Sequence, residues 1–211
     1  MKIYVKEYLR IFIIGFNKTA TRTLHYFFKG NGLNAIHWDD GNLVEVFERN
    51  IKLGKKLLFD GVTLNKEVNS DCKYEDAIVF SDMTSSGPLI VKDPKDYYKQ
   101  LDKEYPNSKF ILNIRDVDSW ILSRLRHINK NLGGMLERDM KFYKCDMDDS
   151  IKRWRLLHSE HTTDVISYFK NRPNDLLIYN IFKDNPQKIV DFFKDIYKLD
   201  LSYWNHIGKA Q

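Results

Sequence analysis

Cysteine is scarce: Cys72 and Cys145 are the only two in 211 residues, too few for a disulfide framework and without metal-ligand spacing. Two reduced thiols in a reducing compartment are expected. Long apolar runs are missing as well. The stretch Ile11 to Phe16 is too short for a signal-peptide core or a membrane span, and no other is longer. There are no internal repeats and no low-complexity linkers. The net charge is +5, yet basic and acidic residues are interspersed and no basic block resembles a nucleic-acid-binding arm. These absences point to a soluble, non-secreted, cytoplasmic protein, bound neither to nucleic acid nor to a membrane.

What is present fits one globular unit. The chain is 43% hydrophobic and 30% charged, and its length suits a single domain over residues 1–211. Short apolar runs alternate with amphipathic segments. Strands are predicted over 10–16, 33–38, 77–80, 109–114 and 176–181. Helices are predicted over 21–29, 43–58, 96–104, 118–127, 150–170 and 185–197. Trp120 and Trp154 read as core residues. The polar segment 128–149 reads as a loop or helical insert. This alternation predicts an α/β fold, a three-layer sandwich with a mostly parallel central sheet flanked by helices, like that of the P-loop nucleotide hydrolases. Ligands of such sheets sit beyond the carboxyl ends of the strands. Lys18, His37, Asp82 and Arg115 each follow a predicted strand, so the topology brings them to one rim.

The densest chemical signal is Gly15-Phe16-Asn17-Lys18-Thr19-Ala20-Thr21-Arg22-Thr23. It reads as the end of a strand, a tight loop and a helix N-terminus. Such a junction offers free backbone N–H groups and the positive end of a helix dipole to an anion. Three threonine hydroxyls and two cations make phosphate the expected anion. The triphosphate-binding pattern G-x-x-x-x-G-K-[ST] is not met, because Ala20 and Thr21 stand where its second glycine and lysine would be. A dinucleotide-binding G-x-G-x-x-G is also absent.

That loop resembles the 5′-phosphosulfate loop of sulfotransferases that use 3′-phosphoadenosine 5′-phosphosulfate (PAPS). A second block, Tyr105-Pro106, then Lys109 to Ile114, Arg115-Asp116 and Ser123 eight residues after the arginine, is similar to the 3′-phosphate block of the same family. The resemblance is clearest over residues 10–38 and 78–127. It implies that Asn17, Lys18, Thr19, Ala20, Thr21, Arg22 and Thr23 form the 5′ site. It implies further that Arg115 and Ser123 hold the 3′-phosphate, that Lys18 stabilises the leaving oxygen, and that no metal takes part. The implied activity is transfer of a sulfuryl group from PAPS to an acceptor hydroxyl or amine on a small molecule or carbohydrate.

The acceptor's base is open between two residues. Topology favours Asp82, after the third strand. Intrinsic pKa favours His37, about 6.5 against about 3.9 for aspartate. Two features depart from the family pattern. Ala20 replaces a glycine, which is tolerable only if the position needs no positive φ. The C-terminal motif is reduced to Gly208-Lys209, leaving Lys209 as a candidate contact to the 3′-phosphate. Tyr179 is a candidate to stack on adenine. The alternative functions are a nucleotide or small-molecule kinase with a degenerate phosphate loop, and a non-catalytic nucleotide-binding relative.

Overall fold

The structure is a computed structural model that describes residues 9–58, 74, 76–85, 92–129 and 133–205. Its centre is an all-parallel sheet of five strands. These are β1 (Ile11–Ile13), β2 (Ala35–His37), β3 (Val79–Ser81), β4 (Lys109–Ile114) and β7 (Leu176–Asn180), in the order β2-β3-β1-β4-β7. A two-stranded antiparallel ribbon, β5 (Ile128–Asn129) with β6 (Gly133–Gly134), stands apart from it.

Side chains alternate across the pleat, so the central strand feeds two cores. Phe12 and Ile14 point into one, with residues from α2 (Asn42–Lys52), α3 (Tyr98–Glu104) and α6 (Met147–Phe169). Ile11 and Ile13 point into the other, with α1 (Thr21–Gly30) and α7 (Gln187–Phe193). This is the three-layer α/β arrangement that the alternating pattern predicts. A third, smaller cluster joins Phe16, Trp120, Ile121, Trp154 and Leu157 beneath the loop that follows β1. It packs α4 (Val117–Leu125) against α6, and both tryptophans are fully buried, as their sequence reading requires.

Element boundaries differ from the sequence reading where capping decides them. Helix α2 stops at Lys52, because Gly54 turns the chain with φ 65°. Helix α6 starts earlier than expected, at Met147, because the Asp146 side chain accepts from the Asp149 N–H at 2.9 Å. The polar stretch 128–149 is not a loop. It holds the β5–β6 ribbon, helix α5 (Met135–Tyr143) and the first turn of α6. Cys145 is half-buried with a free thiol, and Cys72 lies outside the described residues. Among the described residues no helix is long and apolar enough to cross a membrane.

Candidate active site at the strand ends

The loop from Gly15 to Ala20 is held by its carbonyls. The Phe16 carbonyl accepts from Thr19 Oγ1. The Asn17 carbonyl accepts from Trp120 Nε1 at 2.9 Å, and the Lys18 carbonyl from an Arg115 guanidinium nitrogen at 3.3 Å. The Thr19 carbonyl accepts from Asn113 Nδ2 at 2.9 Å. Four consecutive carbonyl oxygens are thus occupied, the first within the loop and the other three drawn towards the end of β4 and α4. The N–H groups of Asn17 to Arg22 are left without a protein acceptor among the described residues. A concave run of free N–H groups at a helix N-terminus is an anion-binding nest. Among the described residues no side chain caps that terminus.

Asn113 is the pin of this arrangement. It is buried in β4, accepts from the Gly15 N–H at 2.8 Å and donates to Thr19 at both the carbonyl and Oγ1. A Cβ at position 15 would fall on the Asn113 carbonyl and side chain, so only glycine allows this approach. The Thr19 hydroxyl is spent inside the loop, as donor to Phe16 and acceptor from Asn113.

The nest carries backbone strain. Lys18 has φ 66° and Ala20 has φ 72°. The condition under which alanine would be harmless at position 20, a negative φ, is therefore not met. A non-glycine residue held in this region costs about 1–2 kcal/mol. The hydrogen bonds that fix Asn17, Lys18 and Thr19 hold the conformation against that cost.

Around the nest stand the residues expected at the rim. Strand register places His37 beside Ser81 as Cα partners. His37 Nδ1 is 2.9 Å from Ser81 Oγ, and His37 Nε2 is 3.7 Å from Asp82 Oδ2. Asp82 has φ 55°, a left-handed turn at the end of β3, and its other carboxylate oxygen accepts from Thr84 Oγ1 at 2.7 Å. The two base candidates are neighbours in one site. Lys18 Nζ lies 3.3 Å from His127 Nδ1.

Burial controls the titration of all four groups. Desolvation lowers Lys18, opposed by attraction to Asp82, while repulsion from Arg115 and Arg22 adds to the fall. Desolvation, then Arg22, brings His37 down to about 4. Desolvation raises Asp82, opposed by the Thr84 hydrogen bond and by Lys18, Arg124 and His127. Desolvation also lowers His127, with Lys18 and Arg138 acting in the same direction. A neutral His127 accepts a hydrogen bond from the Lys18 ammonium.

Arg115 is half-buried at the end of β4. It donates through Nε to Ser119 Oγ at 2.9 Å and lies 4.8 Å above the centre of the Phe182 ring. Ser119, not Ser123, is its hydroxyl partner, and Ser123 sits half-buried one turn further along α4. Thr21 and Thr23 are buried, and Arg22 is exposed. Tyr179 is buried against Trp204 and cannot present a face to a ligand, which corrects the stacking expectation. Phe182, 65% exposed three residues later, is an aromatic that stands beside Arg115 at the rim. Lys209 lies outside the described residues.

Four residues of the site escape a reading of the sequence. Asn113 carried a signal, a polar residue inside the apolar run F-I-L-N-I. Trp120 was legible only as core. Arg124 is buried between the Trp120 and Trp154 rings and donates to Asn17 Oδ1 at 3.3 Å. His127 reaches Lys18 from the end of α4, a contact that no local pattern announces.

A family model described as a sulfotransferase domain matches residues 10–195, most of the chain. No curated protein matches it.

Proposed function

Because the chain belongs to the sulfotransferase-domain family, we propose that it moves a sulfuryl group from PAPS to a hydroxyl or amine of a small-molecule or carbohydrate acceptor. One observation carries the reading. The carbonyls of residues 16–19 are all held back, so a nest of free N–H groups opens beside Lys18, with His37 and Asp82 on the facing strand ends.

The residues present suit a ligand with two separated anionic ends. The nest and the N-terminus of α1 suit a 5′-phosphosulfate. Arg115, with Ser119 and Ser123 on one face of α4, suits a 3′-phosphate, and the exposed Phe182 ring suits the adenine. When bound, PAPS supplies the sulfuryl group and a bisphosphate leaving group. Sulfuryl transfer has a loose transition state, so the protein's task is positioning and charge compensation. The Lys18 ammonium places positive charge where the leaving oxygen becomes negative. His37 takes the acceptor's proton, and Asp82 at 3.7 Å stabilises the imidazolium that results.

His37 is neutral in the free protein, as a base must be, but weakly basic. Anionic ligand charge in the nest raises its pKa towards neutrality. A magnesium-bound triphosphate finds less support. The hydroxyl that follows the loop lysine, Thr19, is already committed on both sides.

Calorimetry with 3′-phosphoadenosine 5′-phosphate tests the donor. Binding much tighter than that of ADP, which lacks the 3′-phosphate, is expected. Equal affinity for the two, or no binding at high micromolar concentration, would sink the reading. A panel of alcohols, phenols and amines offered with PAPS then identifies the acceptor class.

A further inference from the structure

Ser81 has no part in the proposed chemistry above, yet its hydroxyl touches His37. It is completely buried at the end of β3, and the β2–β3 register sets it beside His37. Its hydroxyl has two neighbours. One is the Ile36 carbonyl at 3.3 Å, which can only accept. The other is His37 Nδ1 at 2.9 Å. A hydroxyl carries one hydrogen. If that hydrogen goes to the Ile36 carbonyl, the oxygen offers a lone pair to His37, and Nδ1 must carry the proton.

The other ring nitrogen agrees with this placement. Nε2 is 3.7 Å from Asp82 Oδ2, beyond hydrogen-bond reach, so no acceptor among the described residues holds a proton there. Asp82 reaches that side only because its φ of 55° swings the chain round. Consecutive residues therefore flank the ring, Ser81 at Nδ1 in contact and Asp82 at Nε2 with a gap. The remaining face of the ring packs against His25, 5.4 Å between centroids, and Arg22 approaches from the same helix.

We propose that Ser81 is a positioning residue that fixes His37 as the Nδ1–H tautomer and so leaves Nε2 as the nitrogen that takes the acceptor's proton. The assignment rests on the reading of His37 as the base. The proton leaves the acceptor O–H or N–H for Nε2 as the acceptor–sulfur bond forms and the bond from sulfur to the bisphosphate oxygen breaks. The Nδ1–H stays on Ser81, and the imidazolium is held by Ser81 on one side and Asp82 on the other.

The tautomer can be read without turnover. Two-bond proton–nitrogen correlation spectra of the full chain labelled with 15N-histidine report which ring nitrogen is protonated, and loss of one signal set in His37→Gln assigns the residue. For the wild type at pH 7, protonation at Nδ1 is expected. Ser81→Ala is expected to lose that preference and Ser81→Thr, which keeps the hydroxyl, to restore it. Turnover should fall about 10-fold in Ser81→Ala with the affinity for 3′-phosphoadenosine 5′-phosphate unchanged. A wild-type His37 protonated at Nε2, or a Ser81→Ala spectrum identical to wild type, overturns the proposal. Full activity in His37→Gln would instead overturn the base assignment, and the spectra separate the two failures.

Discussion

His37 Nε2 and Asp82 Oδ2 lie 3.7 Å apart, on the ends of adjacent parallel strands. As single residues they are rival bases. As neighbours they suit the two proposed roles together, a nitrogen to take a proton and a carboxylate to accommodate the charge. His37→Gln should lower turnover about 100-fold or more, the usual scale for loss of a general base. Asp82→Asn should cost less. The double variant should be little worse than His37→Gln alone, because the carboxylate acts through the imidazolium. Steady-state rates for the four proteins check this. Costs that multiply would mean two independent roles.

Buried histidines make the fold sensitive to acid. His25, His37 and His161 are each brought down to about 4, chiefly by desolvation. In the unfolded chain their pKa is near the ordinary 6.5, so between about pH 6.5 and pH 4 the unfolded state binds more protons. Stability therefore rises with pH across that window and is lost as pH falls. Each histidine contributes up to about 1.4 kcal/mol per pH unit. Urea unfolding at pH 7 and pH 5 should show a clear drop in midpoint. His161→Gln should flatten the dependence. A midpoint independent of pH would refute the account.

Ala20 sits at φ 72°, and among the described residues no side chain caps the helix it precedes. Glycine adopts that conformation without penalty, so Ala20→Gly should stabilise the protein by about 1 kcal/mol despite the added unfolded-state entropy. Denaturant titration measures the change. If Ala20→Gly is destabilising, position 20 is not held at positive φ in solution.

The architecture was legible because it depends on periodicity. The alternating odd and even residues of Ile11–Ile14 divide between two cores, and that division is written in the apolar run itself. The rim was legible for a similar reason: His37 ends a strand, Lys18, Asp82 and Arg115 follow one, and parallel strands place their ends together. What was not legible is what fixes those residues. The Trp120 to Asn17 and Arg124 to Asn17 contacts span more than 100 positions, and the His127 to Lys18 contact spans 109. Such pairs form only when α4 packs against the loop. The positive φ at Lys18 and Ala20 was equally hidden, because neither residue type advertises it.

Asn113 ties Gly15 and Thr19 together from the middle of an apolar strand. Asn113→Leu keeps the branched heavy-atom skeleton and removes all three bonds, leaving the Gly15 N–H and the Thr19 carbonyl without those partners. Each buried, unpaired group costs about 1–3 kcal/mol. Loss of several kcal/mol of stability is expected, together with at least a 10-fold weaker affinity for 3′-phosphoadenosine 5′-phosphate, read by denaturation and calorimetry. Unchanged affinity would mean that the nest keeps its shape without this pin.

Lys18 and Arg115 should separate binding from chemistry. Among the described residues the Lys18 ammonium reaches only His127 Nδ1 at hydrogen-bonding distance, and burial lowers its pKa. That group is costly to keep charged in the free protein and gains most when negative charge develops beside it. In the proposed reaction its contribution should therefore fall mainly on the transition state. Lys18→Ala should lower kcat about 100-fold or more while the affinity for 3′-phosphoadenosine 5′-phosphate changes little. Arg115 is different: it is stacked on Phe182, bonded to Ser119 and to the Lys18 carbonyl, and preorganised before any ligand arrives. Arg115→Ala should weaken affinity at least 10-fold, both by removing a cation from the proposed 3′ site and by releasing one of the four loop carbonyls. Equal losses of affinity in the two variants would show that Lys18 is an ordinary phosphate contact. A wild-type affinity in Arg115→Ala would move the 3′-phosphate to another part of the rim.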